Sequence, residues 1–228
     1  MPQIVLIRHG QSEWNLQNQF TGWVDVKITA KGQEEARESG KKLKESGFDF
    51  DLAYSSVLTR TIQTLNLVLE EMDLLWIPTI KAWELNEKHY GALQGLNKDE
   101  TAQKYGTDQV KLWRRSYTER PPVLEANSPL SSVNDKRYSN LNKTQIPLTE
   151  SLEDTVKRVI PFWEKEILPK VLEGKKIIIS AHGNSLRALV KHLENMSPEQ
   201  ILELEIPTGK PLIYELDNKA KVLSKRYL

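Results

Sequence analysis

Residues 3–7 (QIVLI) form a short run of mostly branched aliphatics without polar alternation, the pattern of a strand covered on both faces of a parallel sheet. After a polar break, Thr29 stands as N-cap to a helix over Ala30 to Glu45. Its charges face water while Ala36 and Leu43, seven apart, share one stripe. Residues 51–56 (DLAYSS) predict a second strand and 57–72 (VLTRTIQTLNLVLEEM) a second helix. Residues 77–85 (IPTIKAWEL) predict a third strand, which Pro78 confines to an edge or to its own first turn. From about 86 to 150 the regular pattern lapses: short helical pieces over 99–105 and 108–117 precede a polar stretch carrying Pro121, Pro122, Pro129 and Pro147. That is too long for a passive connection, so an insertion or lid is expected there. Regular structure resumes over 151–172, where Ser151 caps a helix with Glu153 and Asp154 in its first turn. An apolar strand, a turn and an amphipathic helix follow over 176–194, and 211–217 with 221–228 read as a terminal hairpin around Asn218. Strands alternating with helices predict the α/β class: one domain over 1–228, three layers, with helices on both faces of a mostly parallel sheet.

Two of the predicted strands end alike. IVLIRHGQSEW and IIISAHGNSLR both pass from an apolar run to His-Gly, then to polar residues and a helix. Functional groups of an open α/β sheet gather at the carboxyl edge of its strands, so His9 and His182 are expected to face each other, with Gly10 clearing room for a ligand. Composition narrows the chemistry. With 32 basic against 31 acidic residues the net charge is +1, which argues against a nucleic-acid or membrane-surface partner. The absence of cysteine removes disulfides, thiolate metal sites and a thiol nucleophile, and fits a reducing cytoplasm. Arg8 comes too early for a signal peptide and no run reaches membrane-spanning length, so a soluble cytosolic protein is expected. Neither His-Gly turn carries a His-Glu-x-x-His helix or a carboxylate triad, so no metal is expected. A neutral imidazole can attack a phosphoryl group while arginine forks neutralise its oxygens. Arg8 beside His9, and Arg60 after the second strand at the same sheet edge, suit that task. His89 and His192 read as packed or surface residues, and Trp14, Trp23 and Trp113 as packing around the site mouth.

The stretch Arg8-His9-Gly10-Gln11-Ser12-Glu13-Trp14-Asn15 with Thr21-Gly22-Trp23 resembles the signature of the cofactor-dependent phosphoglycerate mutases, within the histidine phosphatase superfamily. SSVLTRTIQT (55–64), LNEKHYGALQGLNKDETAQKYG (85–106), WRRSY (113–117), RPP (120–122), PLTESLEDT (147–155), AHGNSLRALVKHL (181–193) and IPTGKPLIYELD (206–217) resemble that family in its own order, nearly end to end. Thr59 and Thr61 depart from it, flanking Arg60 where a lysine and a small residue are more usual, and 127–144 is shortened. The resemblance implies a phosphoglycerate mutase-like fold and interconversion of 3- and 2-phosphoglycerate, with 2,3-bisphosphoglycerate as primer and a homodimer. It implies that His9 is phosphorylated between Arg8 and Arg60, that His182 stabilises the transferring group, and that Glu87 is the general acid and base. Ser12, Asn15, Thr21, Gly22, Tyr90, Lys98, Arg114, Arg115, Gly183 and Asn184 match positions that hold the phosphoglycerate. A bisphosphoglycerate mutase or synthase, or a phosphatase of the same superfamily, is the alternative. Residues 98–147 and the basic tail 219–228 are the segments expected to close the site.

Overall fold

The computed structural model describes residues 2–228. The chain runs through β1 (Gln3–Arg8), α1 (Glu13–Leu16), α2 (Ala30–Glu45), β2 (Leu52–Ser55), α3 (Thr59–Glu71) and β3 (Thr79–Lys81). The middle segment carries α4 (Lys98–Tyr105) and α5 (Thr107–Arg115). Then come α6 (Leu152–Phe162), α7 (Leu168–Leu172), β4 (Ile177–Ala181), α8 (Gly183–Leu193), α9 (Pro198–Glu203), β5 (Pro211–Leu216) and β6 (Val222–Tyr227). The six strands make one sheet in the order β3-β2-β4-β1-β5-β6. Its first four strands are parallel, β5 runs antiparallel to β1, and β6 runs antiparallel to β5.

The aliphatic run of β1 is continuous because both of its faces are covered. Ile4 and Leu6 pack into one core with Leu186, Leu189 and Val190 of α8 and Val159 of α6; Val5 and Ile7 pack into the other with Ala36 and Leu43 of α2 and Leu65 and Val68 of α3. Each aliphatic side chain buried this way contributes about 1.5–3 kcal/mol, so the three-layer arrangement follows from the two-sided pattern. Thr29 caps α2 by accepting from the Gly32 N–H, and Ser151 closes a capping box with Asp154 at the start of α6.

Register places the two histidines. In the parallel β1–β4 ladder Arg8 lies opposite Ala181, and the His9 N–H donates to the Ala181 carbonyl at 3.0 Å. His9 and His182 are the next residues on adjacent strands, at the carboxyl edge of the sheet. Neighbouring strands lie about 4.8 Å apart, which fixes the scale of the site.

Four local expectations change. The 151–172 helix is not continuous: Pro161 and Pro169 each lack the N–H that an α-ladder needs, and Trp163–Ile167 between them form a π turn that sends Trp163 and Ile167 into the core. The third strand keeps only three residues before Trp83–Leu85 turn into a 3₁₀ segment, and it is an edge strand, as Pro78 required. Gly10 answers to packing, since a Cβ there would collide with the Gly32 carbonyl of α2. The terminal hairpin forms as expected, as β5 and β6 at the far edge of the sheet, but no residue of the basic tail 219–228 lines the cleft it was expected to close.

Candidate active site

The His9 and His182 rings stand edge to face with centroids 5.1 Å apart. His9 Nδ1 lies 2.8 Å from the Gly10 carbonyl, which can only accept, so the proton sits on Nδ1 and the lone pair on Nε2. Arg8, half-buried, and Arg60, buried, flank the pair. Arg8 Nη1 donates to the Ile206 carbonyl at 2.8 Å, and Arg60 donates from Nη2 to Gly22 and from Nη1 to Val24, at 2.7 and 2.9 Å. Gly22 accepts from a turn at φ +57°, a conformation that favours glycine. These bonds leave Arg8 Nε, Arg60 Nε and His182 Nδ1 buried without partners. Orphaned donors gathered round one imidazole are the mark of a site that takes a polar, anionic ligand.

Glu87 closes the other side. Its Oε1 accepts from the Lys88 and Asn184 N–H groups at 2.8 and 3.0 Å, leaving Oε2 free. Its backbone is pinned: the Glu87 carbonyl accepts from Trp23 Nε1 and Arg158 Nη2, and Arg158 also holds the Glu84 and Asn86 carbonyls while pairing with Glu150, nearly buried, at 2.7 Å. Asn184 Nδ2 donates to the Tyr90 hydroxyl at 3.1 Å. Every residue expected at the site lines one cleft except His182, which sits behind His9, and Ser12, which caps α1 and binds Asn15.

The histidine phosphatase superfamily (branch 1) family model matches residues 4–227. The chain belongs to the histidine phosphatase superfamily. A 2,3-bisphosphoglycerate-dependent phosphoglycerate mutase 2 of Lactiplantibacillus plantarum is 60% identical over 228 residues, covering 100% of this chain and 99% of that protein. A 2,3-bisphosphoglycerate-dependent phosphoglycerate mutase of Enterococcus faecalis is 56% identical, with 100% of both chains covered. Among solved structures, a mycobacterial glucosyl-3-phosphoglycerate phosphatase superposes with a TM-score of 0.75 at 18% identity, covering 100% of this chain and 97% of that one. A phosphoglycerate mutase from Bacillus anthracis gives 0.66 at 21%, covering 93% and 88%. At those identities the two structures speak for the superfamily fold alone.

Four further residues of this superfamily member line the cleft: Gln19, Phe20, Arg187 and Ile206. Arg187 lies five residues after His182 in the quoted AHGNSLR block, which was the available signal. Buried on α8, it donates to the Asn184 side chain at 2.7 Å and to the Arg115 carbonyl at 2.9 Å. Lys88 donates to the Trp113 carbonyl at 2.6 Å. The buried side chains of Arg187 and Lys88 therefore donate into the C-terminal turn of α5, the negative end of its dipole, and fix the helix that carries Arg114 and Arg115.

Burial dominates the titration of this cleft. It pushes Lys98 down to about 8, aided by Arg114 and Arg8, Arg60 down to about 10, and Lys88 to about 7. Burial, then Arg60 and Arg8, hold His9 well below 6.5; burial, then Arg60 and His9, do the same to His182. Both rings are therefore neutral at pH 7, the state a nucleophile needs. His89, packed on Trp23, is pushed by burial to about 3. Below 6.5 the unfolded chain binds protons at these three sites that the folded chain refuses. Stability is thus expected to fall as pH drops from 6.5, by about 1.4 kcal/mol per pH unit for each histidine, until each folded pKa is passed. Urea midpoints measured between about pH 7.5 and 5.5 check this, and a flat profile would contradict it.

Proposed function

We propose that the chain interconverts 3-phosphoglycerate and 2-phosphoglycerate through a phosphohistidine at His9. The observation carrying this reading is a buried neutral His9, with Nε2 free, between two arginines that retain unpartnered donors. Full-length relatives at 56–60% identity point to the same chemistry. 2,3-bisphosphoglycerate, when bound, supplies the phosphoryl group that primes the enzyme. Arg8, Arg60, Lys98, Arg114 and Arg115 would hold it, each charge-assisted bond contributing about 1.5–3 kcal/mol.

His9 Nε2 accepts the phosphoryl group while Arg8 and Arg60 balance its charge. His182 supports the same group from behind, and Glu87 Oε2 takes and returns the proton of the substrate hydroxyl. The phosphate passes from His9 to the free hydroxyl, and the other phosphate returns to His9. Water would divert this exchange into hydrolysis, so α4 and α5 are assigned the role of cover. The test is an assay of 3-phosphoglycerate with and without catalytic 2,3-bisphosphoglycerate, in chelator, following 2-phosphoglycerate and free phosphate. Stimulated isomer without phosphate is expected; phosphate alone would make the chain a phosphatase.

This reading carries a place in glycolysis and gluconeogenesis and a cytoplasmic location. A homodimer is proposed with it, supported by the β3 edge, where Trp76 is 77% exposed beside Leu75 and Ile80. A bare edge strand with large apolar side chains invites pairing with a second copy. Trp76→Glu is expected to shift the sedimentation coefficient from dimer to monomer; an unchanged coefficient would move the interface elsewhere.

A further inference from the structure

Arg187 follows Asn184 by one turn of α8 and is 3% exposed. Its Nη2 donates to the Arg115 carbonyl at 2.9 Å and to the Ile201 carbonyl at 2.5 Å, which ties the fork to the C-terminal turns of α5 and α9. Both hydrogens of that nitrogen are spent, so the guanidinium plane is set. Nη1 is thereby held 2.7 Å from the Asn184 side chain. A guanidinium only donates, so this contact admits one orientation of the Asn184 amide, with Oδ1 toward Arg187 and Nδ2 away from it. The opposite orientation would press two N–H groups against each other at 2.7 Å. Burial lowers Arg187 to about 10, which leaves it charged at neutral pH.

We infer that Arg187 is a positioning residue for the anionic ligand: it turns the Asn184 amide so that Nδ2 faces Tyr90 and the cleft, and so leaves the Tyr90 hydroxyl hydrogen for the ligand. Nδ2 lies 3.1 Å from the Tyr90 hydroxyl, which meets it as acceptor, and among the described residues no oxygen takes the Tyr90 hydrogen. Asn184 and Tyr90 both line the cleft. With the amide reversed, Oδ1 would accept that hydrogen and turn its lone pairs toward the anion. The cleft would lose the Nδ2 and Tyr90 donors together and gain a repelling oxygen. The Asn184 backbone N–H holds Glu87 Oε1 independently, at 3.0 Å, so the side-chain amide turns without moving the carboxylate.

The inference rests on an anion occupying this cleft, as proposed above, but not on the reaction that follows. In unliganded enzyme labelled with ¹⁵N-asparagine, the Asn184 side-chain amide signals are identified by their loss in Asn184→Leu. Wild type is expected to show nuclear Overhauser contacts from those amide protons to the Tyr90 ring, and Arg187→Met to lose most of that intensity. In calorimetry, Arg187→Met is expected to bind 3-phosphoglycerate about 10- to 100-fold more weakly, the worth of a charge-assisted hydrogen bond, with kcat falling less than binding because His9 and Glu87 keep their partners. In the Asn184→Leu background the same change is expected to weaken binding several-fold less, since the amide through which Arg187 acts is gone. Amide protons that contact Arg187 rather than Tyr90 in the wild type would overturn the inference. So would an equal loss of binding in both backgrounds, which would mean that Arg187 meets the ligand itself or acts only by holding α5. If Arg187→Met does not fold, the wild-type spectrum still decides the orientation. A wild type that did not bind 3-phosphoglycerate would overturn the proposed function, while the spectrum would still decide the amide.

Discussion

His9→Ala is expected to reduce turnover by at least about four orders of magnitude while the protein still folds, because the nucleophile is lost and no second imidazole can take its place. His182 is too constrained to substitute, with Nε2 bound to Ser56 and its ring behind that of His9. Folding should survive. The His9 side chain makes one hydrogen bond, to the adjacent Gly10 carbonyl, whereas β1 is held by two ladders and four buried aliphatic residues. Leaving that carbonyl short of a donor costs about 1–3 kcal/mol, less where the cleft admits water. Intact-mass measurement after incubation with 2,3-bisphosphoglycerate should show a phosphorylated wild type and an unmodified His9→Ala chain. A variant that still turns over, or still acquires the phosphate, would remove His9 from the nucleophile's place.

The scaffold of this site was legible because it is written in period and repetition. A strand buried on both faces must be apolar throughout, so β1 and β4 stand out, and the two His-Gly endings mark where each leaves the sheet. What was not legible depends on partners distant in sequence. Arg158 orients Glu87 through carbonyls 71 to 74 residues away, and Arg187 holds the Arg115 carbonyl 72 residues earlier, so neither is distinguished from any helical arginine by its neighbours. Gly10 was misread for a related reason: the sequence shows that a glycine is required, and only packing shows that the obstacle is Gly32 rather than a ligand. Ser12 belongs to a motif that surrounds the site, yet its hydroxyl is committed to capping α1. The π turn likewise came from two prolines whose missing donors matter only once the helix tries to run through them.

Glu87→Gln is expected to lower kcat by about 10²- to 10⁴-fold with KM little changed, the signature of a lost proton transfer in a site that still binds. The geometry separates the two effects. Glu87 Oε1 is an anchor, accepting from the Lys88 and Asn184 N–H groups, and a glutamine carbonyl can accept both of the same bonds. The amide nitrogen then replaces Oε2, where it can donate to a substrate oxygen but cannot take a proton from one. Trp23 and Arg158 hold the backbone independently of the side chain, so the substitution should not release residues 84–87 or disturb the arginines of the cleft. Binding of 3-phosphoglycerate by calorimetry, set beside steady-state rates, tests the division. A near-normal rate would take Glu87 out of the proton transfer, whereas a lost binding signal with unchanged kcat would recast it as a ligand-positioning group.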